Sequence, residues 1–248
     1  MSVAIITPTY NASEYIMDTY KSLLVQDYTN WKWIVTDDCS TDGTIDILND
    51  IAKKDSRVEI YKNSTNSGAA VSRNFSLSKV KEEYISFIDS DDIWYPGKLS
   101  GQLEFMKNKN IDFSFTAYQL LNGENQLLLK TVDTHIECVN YEDMLRKKAT
   151  LGCSTVMIKR SSFNDFSMPL IRTGQDYALW LKLLKSCNFA YCYNKVLTGY
   201  RILPHSISRN KFKKAKRQWQ IYREIECLSL MKSIECFCFY AWRAVFRK

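Results

Sequence analysis

Short β-branched apolar runs alternate with amphipathic helical patterns through the first hundred residues, and this alternation is the strongest constraint on the fold. The predicted strands are Val3 to Ile6, Lys32 to Val35, Val58 to Tyr61 and Tyr84 to Ile88, and the predicted helices begin near Ser13, Thr41, Gly68 and Pro96. Strands separated by helices of this length require right-handed crossovers, which give a mostly parallel α/β sheet with helices on both faces. Ligands bind such sheets outside the carboxyl ends of the strands, so the polar residues that end each strand are the candidates for function.

Beyond about residue 110 the pattern becomes irregular. A hairpin is expected from Phe113 to Leu121 and Gln126 to Thr131, because Asn122-Gly123 between them favours a tight turn. Further helices are predicted at 141–147 and 176–185, and further strands at 154–158, 189–193 and 197–201. We therefore expect one compact unit over residues 1–208, with a first half to about residue 100 and a second half after it, followed by a helical tail at 209–248.

Composition narrows the class of protein and its compartment. At 248 residues, 46% of them hydrophobic, the chain is long and apolar enough to bury a substantial core. Its eight cysteines include no CxxC pair and it has only two histidines, which argues against a tetrahedral zinc cluster and favours free thiols in a reducing cytosol. Residues 1–7 lack the basic flank of a signal peptide, and no window approaches the roughly 20 apolar residues that span a bilayer. We therefore expect a cytoplasmic protein.

Positive charge is concentrated in the tail. Residues 211–248 hold ten Lys or Arg against three Glu, so this segment alone accounts for the net charge of +7. Its cations stand beside aromatic and aliphatic residues at helical spacing, a pattern typical of a helix that lies on an anionic membrane surface. The alternative is that the apolar stripe packs on the compact unit at 1–208, and both can hold if the cations face outward. No nucleic-acid recognition motif accompanies the charge, so a nucleic-acid partner is not expected.

Three carboxylates, those of Asp89, Asp91 and Asp92, follow directly after the fourth predicted strand. Three anions this close repel one another unless a cation lies among them. A hard divalent ion such as Mg²⁺ or Mn²⁺ prefers oxygen ligands and readily adds the diphosphate oxygens of a nucleotide. The alternative is a solvated acidic turn, but the position at a strand's carboxyl end favours a metal site.

Polar residues also end the first and second strands. Asp38 could accept hydrogen bonds from a base or a ribose, as acidic residues at strand ends do in nucleotide-binding sheets, whereas Asp37 could equally cap a helix. Tyr10, just after the first strand, could stack on a base or pack in the core.

Five segments resemble, in order and spacing, glycosyltransferase family 2, the inverting enzymes of the GT-A fold. They are ITPTYN at 6–11, VTDDCSTDGT at 35–44, NSGAAVSRN at 66–74, FIDSDD at 87–92 and TGQDYALWL at 173–181. The resemblance covers about residues 1–208 and implies a catalytic unit with a Rossmann-like central sheet. It also implies that residues 1–100 form the nucleotide-sugar-binding half of this unit and residues 101–208 the acceptor half. It implies transfer of a sugar from a nucleotide diphosphate sugar, in particular a UDP-sugar, to a hydroxyl of a glycan or lipid-linked sugar. The enzymes it points to build bacterial surface polysaccharides such as O-antigen, lipopolysaccharide or capsule.

The resemblance also implies roles for individual residues. The expected nucleotide-binding residues are Thr9, Tyr10, Asp38, Arg73, Asp89 and Arg201, and the expected ligands of Mn²⁺ or Mg²⁺ are Asp91, Asp92 and His205. The Asp89-Ser90-Asp91 segment matches the DxD-type motif. Asp176 matches the general base that removes the proton of the acceptor hydroxyl, while a metal ion would stabilise the charge on the departing diphosphate.

Two departures from the family pattern bear on activity. Gln175 stands where many members have Glu, and Leu203 stands where a His is common, with His205 two positions further on. If catalysis required a carboxylate at position 175, where this chain has Gln175, the chain would be a noncatalytic, membrane-associated module that binds nucleotide sugars. Another alternative is a transferase with a soluble or protein acceptor. A dinucleotide oxidoreductase is disfavoured because no GxGxxG follows the first strand.

Overall fold

The computed structural model describes residues 1–133, 135–203 and 211–246. Its strands are β1 Val3–Thr9, β2 Trp31–Asp37, β3 Val58–Lys62, β4 Tyr84–Phe87, β5 Ile93–Trp94, β6 Phe113–Leu121, β7 Leu127–Val132, β8 Cys138–Val139, β9 Met157–Lys159 and β10 Ala190–Arg201. Its α-helices are α1 Ile16–Leu24, α2 Thr44–Lys54, α3 Ala69–Leu77, α4 Lys98–Lys109, α5 Tyr141–Leu145, α6 Gln175–Leu184, α7 Lys211–Gln220 and α8 Leu230–Phe246.

The strands form one sheet in the order β3-β2-β1-β4-β9-β6-β10-β5, with β7 beside β6 and β8 beside β10. Strands β1 to β4 pair in parallel through the crossover helices, as the alternating pattern predicted. Short β9 is antiparallel to both β4 and β6, so β6 and its parallel neighbour β10 run in the same direction as the first four strands. The predicted mostly parallel α/β sheet is confirmed.

Alternate residues of each central strand enter different halves of the core, as the period of two in a strand requires. Val3 and Ile5 pack with α1, α2 and α4 on one face of the sheet. Ala4 and Ile6 pack with α3, α5 and α6 on the other face. Both faces are therefore buried, which explains why the sequences of these strands are nearly continuous apolar runs.

Two sequence predictions in the second half are wrong. The strands expected at 189–193 and 197–201 are one strand, β10, whose pairing with β6 shifts register between Tyr193 and Thr198. The polar pair Asn194-Lys195 lies exposed at this irregularity, so it interrupts the apolar pattern without ending the strand. The strand expected from residue 154 begins only at Met157, because Cys153–Thr155 form a 3-10 turn.

The tail packs against the catalytic unit. A π-helical turn, Ile221–Ile225, follows α7, and Ile221, Tyr222 and Cys236 lie in the core cluster of the α6 face. Arg146 on the catalytic unit pairs with Glu235 of α8 at 2.7 Å. This is the alternative in which the apolar stripe docks, although much of α8 remains exposed. Among the described residues, no helix is long and apolar enough to cross a membrane.

Candidate active site

A cavity of about 290 Å³ opens at the carboxyl ends of β1, β2 and β4. Its lining residues are Pro8, Thr9, Tyr10, Asp38, Ala69, Ser72, Arg73, Asp89, Ser90 and Asp91. Six of the predicted site residues, from four separate sequence segments, therefore meet at one edge of the sheet. Tyr10 is half exposed at the rim, with its ring free to meet a planar ligand. Stacking on a base thus stays a prediction, and burial of this ring in the core is ruled out.

Asp38 organises the loop that leads into α3. Its carboxylate accepts hydrogen bonds from the backbone N–H groups of Ser67 and Gly68, at 2.8 and 2.7 Å, and from Asn63 Nδ2 at 2.7 Å. Neighbouring Asp37 accepts from the backbone N–H of Ser40 at 3.0 Å, so it closes a turn after β2 and does not cap α2. A carboxylate has about four lone-pair sites, which leaves Asp38 capacity for one further donor from a ligand.

Arg73 and Asp89 form a partly buried ion pair in the lining of the cavity. Arg73 donates from its Nη2 to Asp89 Oδ1 at 2.5 Å, and its side chain is only 6% exposed. Among the described residues, Arg73 Nε and Thr9 Oγ1 are buried without a hydrogen-bond partner. Unpaired buried polar atoms are costly, so a ligand that accepts and donates hydrogen bonds here would be favoured.

Asp91 carries an uncompensated charge. Burial, followed by repulsion from Asp89, raises the pKa of Asp91 to about 6, although Arg201 and Arg73 oppose the rise. A divalent cation at this carboxylate would remove the conflict, so the donor set fits Mg²⁺ or Mn²⁺. Within the described ranges, no three acidic, His or Cys side chains converge as a complete metal site. Mg²⁺ is commonly held by one or two carboxylates with substrate phosphates, which matches Asp91 and Asp89.

Asp92 faces into the protein and does not line the cavity. Its side chain accepts hydrogen bonds from Ser154 Oγ at 2.5 Å and from the backbone N–H of Arg201 at 2.9 Å. Only 1% of the residue is exposed. These contacts support a positioning role, in which Asp92 ties the acidic loop to the end of β10, and its predicted contact with a metal ion stays a prediction.

Arg201 ends β10 close to the acidic loop. Its Nη2 donates to Asn125 Oδ1 at 2.5 Å and lies 3.6 Å from Asp18 Oδ2, and the guanidinium stacks 4.4 Å from the centre of the Tyr15 ring. Among the described residues, Nε and Nη1 of Arg201 are buried and unpartnered. A planar guanidinium with two unpaired nitrogens suits phosphate oxygens, but Arg201 is only 2% exposed and does not line the cavity, so its nucleotide contact stays a prediction. His205, predicted as a metal ligand, lies outside the described residues.

Asp176 lies in the first turn of α6, beside the cavity but not in its lining. Burial raises the pKa of Asp176, and the nearby positive charge of Arg73 opposes that rise. Asp89 also acts on Asp176, so these three side chains lie in one electrostatic neighbourhood. A carboxylate with a raised pKa is a better proton acceptor than an exposed aspartate, as a general base requires.

Sequence reasoning missed two supporting residues. Asn63 follows directly after β3, so the strand-end rule applied to the third strand could have found it. Ser154 accepts a hydrogen bond from the backbone N–H of Asp89 at 3.0 Å and donates to Asp92, which fixes the acidic loop from the side. No local signal marks Ser154, because its partners are more than 60 residues away in sequence.

The sheet, its helices and the acidic loop after β4 define a glycosyltransferase of the GT-A fold. The solved structure of residues 1–349 of TarS from S. aureus, in complex with UDP-GlcNAc, superimposes with a TM-score of 0.79 at 20% identity over 99% of this chain and 73% of that one. The chain belongs to glycosyl transferase family 2, whose family model matches residues 4–166.

Similar sequences come from bacteria. The chain is 47% identical to the putative teichuronic acid biosynthesis glycosyltransferase TuaG of Bacillus subtilis, over 98% of this chain and 96% of that one. It is 39% identical to the UDP-Glc:alpha-D-GlcNAc-diphosphoundecaprenol beta-1,3-glucosyltransferase WfaP of Escherichia coli, over 96% of this chain and 92% of that one. Both alignments include the tail as well as the catalytic unit, since they cover nearly the whole chain.

Proposed function

We infer that this glycosyltransferase moves a hexose or N-acetylhexosamine from a UDP-sugar to a hydroxyl of a lipid-linked sugar, with inversion, during synthesis of a bacterial surface polysaccharide. The observation that carries the inference is the meeting of Asp38, Arg73 and Asp91 in one cavity beside Asp176. The names of TuaG and WfaP support the polysaccharide and the lipid-linked acceptor, and the TarS complex supports a uridine nucleotide.

The cavity supplies contacts suited to the donor. Tyr10 would stack on the base, and Asp38 would accept a hydrogen bond from base or ribose. The free nitrogens of Arg73 and Arg201 would bind phosphate oxygens. Asp91, with Asp89, would hold Mn²⁺ or Mg²⁺, which stabilises the negative charge that develops on the leaving diphosphate.

Asp176 would act on the acceptor. Its carboxylate takes the proton of the attacking hydroxyl as the oxygen bonds to the anomeric carbon and the bond to the diphosphate breaks. A single displacement of this kind inverts the anomeric centre, so an α-linked nucleotide sugar yields a β-glycoside. The raised pKa of Asp176 supports this role because it increases the affinity of the carboxylate for the proton.

We place the protein in the cytoplasm, on the inner face of the plasma membrane, through the tail. Met231, Ile234, Trp242 and Phe246 of α8 lie between 44% and 77% exposed, which leaves an apolar surface without a protein partner in the described residues. Exposed cations of α7 lie in the same tail and would favour anionic lipid. No nucleic-acid partner is proposed.

Two substitutions test the proposal. Asp91→Ala should weaken Mn²⁺-dependent binding of the donor and reduce transfer by at least about 100-fold, and Asp176→Asn should reduce transfer similarly without weakening donor binding. Donor affinity is measured by calorimetry with and without Mn²⁺, and transfer by product formation from a panel of UDP-sugars. Asp50→Asn, an exposed change on α2, is the matched control.

Different results would point to different errors. Wild-type turnover in either variant would refute the role assigned to that residue. Tight donor binding without transfer or hydrolysis by the wild type would instead favour the noncatalytic module, for which Gln175 is the sequence signal. No binding of any nucleotide sugar in the presence of Mn²⁺ or Mg²⁺ would refute the proposal as a whole.

A further inference from the structure

A second cavity, of about 360 Å³, lies between the start of α6 and the tail. It shares no lining residue with the donor cavity. One wall is the turn at Thr173 and Gly174, directly before Gln175 and Asp176, and the opposite wall comes from α7, the π-helical turn and α8. The tail packs tightly on this turn, since a Cβ added at Gly174 would lie 3.1 Å from Ile221 Cδ1.

Among the described residues, four cationic side chains and no acidic side chain line this cavity. They are Lys147, Lys214, Arg217 and Arg243. Within residues 1–133, 135–203 and 211–246, none of the four forms an ion pair: Arg217 donates to Gln220 Oε1, and Arg243 donates to the Lys148 carbonyl at 3.3 Å. The cavity therefore presents a concentrated positive charge with no carboxylate in ion-pair contact among the described residues.

Bringing these cationic side chains together in a partly buried cavity costs free energy when no anion is bound. Burial, together with the charge of Lys214, lowers the pKa of Lys147 to about 7, although the charge of Asp176 opposes the fall. Lys147 Nζ lies 3.0 Å from the centre of the Tyr177 ring, which partly compensates the charge. Like charges brought together in a partly buried site are stabilised by an anion, so the cavity has the chemistry of a site for a multiply charged anion.

The cavity faces the acceptor side of the reaction. Asp176 raises the pKa of Lys147, so the proposed base and the cationic wall are close enough to interact. Tyr240, Arg243 and Ala244 of α8 line the cavity, and the exposed Trp242 and Phe246 lie on the other side of the same turns of that helix. An anion in the cavity would therefore have the base on one side and, on the other, a helix whose outer side is apolar and exposed.

We propose that this cavity binds the diphosphate of a lipid-diphosphate-linked sugar acceptor, with the sugar directed to Asp176 and the hydrocarbon chain along α8. The order of groups in such an acceptor, sugar, then diphosphate, then lipid, matches the order of base, cationic cavity and apolar surface in the protein. The proposal rests on the proposed function and extends it by assigning the residues that select the acceptor.

Binding of a short diphosphate probe tests the site without catalysis. Farnesyl diphosphate, farnesyl monophosphate and farnesol are compared by calorimetry on the full chain, first without and then with Mn²⁺ and UDP. We expect the diphosphate to bind at least about tenfold more tightly than farnesol, and the double variant K214Q/R217Q to lose that preference, because it removes two charge-assisted contacts to phosphate. The control K213Q/K216Q removes two exposed charges of the same helix outside the cavity and should bind like the wild type.

Transfer assays give a second measurement. Two acceptors are compared, in which the same sugar is linked to the same alkyl chain either through a diphosphate or directly through oxygen. K214Q/R217Q should raise the KM of the diphosphate-linked acceptor at least about tenfold and leave the KM of the oxygen-linked acceptor unchanged. Neither kcat nor the KM of the donor should change. A rise in KM for both acceptors, or an equal effect in K213Q/K216Q, would overturn the proposal.

A comparison of vesicle binding with farnesyl diphosphate binding tests whether the cavity binds the acceptor or the headgroups of membrane lipids. If K214Q/R217Q loses binding to phosphatidylglycerol vesicles but keeps wild-type affinity for farnesyl diphosphate, the cavity binds lipid headgroups and the proposal is wrong. Equal affinity of the wild type for farnesyl diphosphate and farnesol would also overturn it. Failure of nucleotide-sugar binding would refute the proposed function through a different measurement, because the farnesyl probes do not require the donor.

Discussion

The three aspartates of the acidic loop differ in their surroundings although they are neighbours in sequence. Asp89 pairs with Arg73, Asp91 forms no ion pair among the described residues, and Asp92 is enclosed by Ser154 and the backbone of Arg201. Three similar side chains therefore have three different electrostatic environments. We expect them to have three different functions, which residue-level substitutions can separate.

Asp92→Asn and Asp91→Asn together distinguish a positioning residue from a metal ligand. Asn at position 92 keeps an oxygen for the Arg201 N–H, so Mn²⁺-dependent donor binding should stay within about threefold of wild type while the melting temperature shifts. Asn at position 91 removes the charge in the cavity and should weaken the same binding at least about tenfold, since more than 1.4 kcal/mol of ion attraction is lost. Equal loss in both variants, measured by calorimetry, would make Asp92 a ligand.

At the scale of single elements, β10 carries more of the site than its sequence pattern indicates. It pairs with β6 along one edge and with β5 and β8 along the other. Its last residue, Arg201, reaches the acidic loop, and Gly199 lies where side chains from both neighbouring strands crowd its backbone. A Cβ at Gly199 would lie 2.6 Å from Leu121 Cδ1 and 2.9 Å from Ile93 Cγ1. The strand therefore needs glycine at this position for close packing.

Gly199→Ala should destabilise the protein and displace Arg201. Overpacking of this kind costs about 1–3 kcal/mol, so the free energy of unfolding in urea should fall by that amount. Transfer should fall as well, because the phosphate-binding guanidinium follows two residues later on the same strand. Gly123→Ala is the control, since its Cβ would meet only ordinary contacts at 3.7 Å or more. Unchanged unfolding in G199A would show that neighbouring side chains relax without cost.

At the scale of the whole molecule, the tail belongs to two environments. Ile221, Tyr222 and Cys236 complete the core, whereas the outer side of α8 is apolar and exposed. Deleting residues 211–248 should therefore release the protein from membranes and also uncover part of the core. A deletion cannot separate membrane binding from folding, but substitutions on the outer side of α8 can.

The double variant M231E/W242E should lose most of its binding to anionic vesicles with little change in melting temperature. Both side chains are more than 60% exposed, so each new charge stays hydrated in the free protein but would enter the lipid interface in the bound one. Sedimentation with phosphatidylglycerol vesicles measures the bound fraction. Leu24→Glu places a charge at an exposed apolar residue on the opposite face of the sheet and is the control. Unchanged binding in M231E/W242E would contradict a membrane role for α8.

The first half of the fold and most of the donor cavity could be predicted from the sequence. Strand and helix periods identified β1 to β4, and the carboxyl-end rule then brought Tyr10, Asp38 and Asp91 to one edge. These signals are local, and they suffice here because a parallel sheet with regular crossovers has only a few possible topologies. The residues that end its strands must therefore meet wherever the strands pair.

Only the tertiary structure decided the continuity of β10, the position of Ser154 and the packing of the tail. Each depends on contacts between residues far apart in the chain, which no local period encodes. The second cavity is the clearest case. Lys147 and Arg217 are far apart in the sequence, and they line one cationic cavity only because the tail folds back on α6. Sequence periodicity determines which residues form strands and helices, whereas the free energy of burying distant surfaces against each other determines which of their side chains meet.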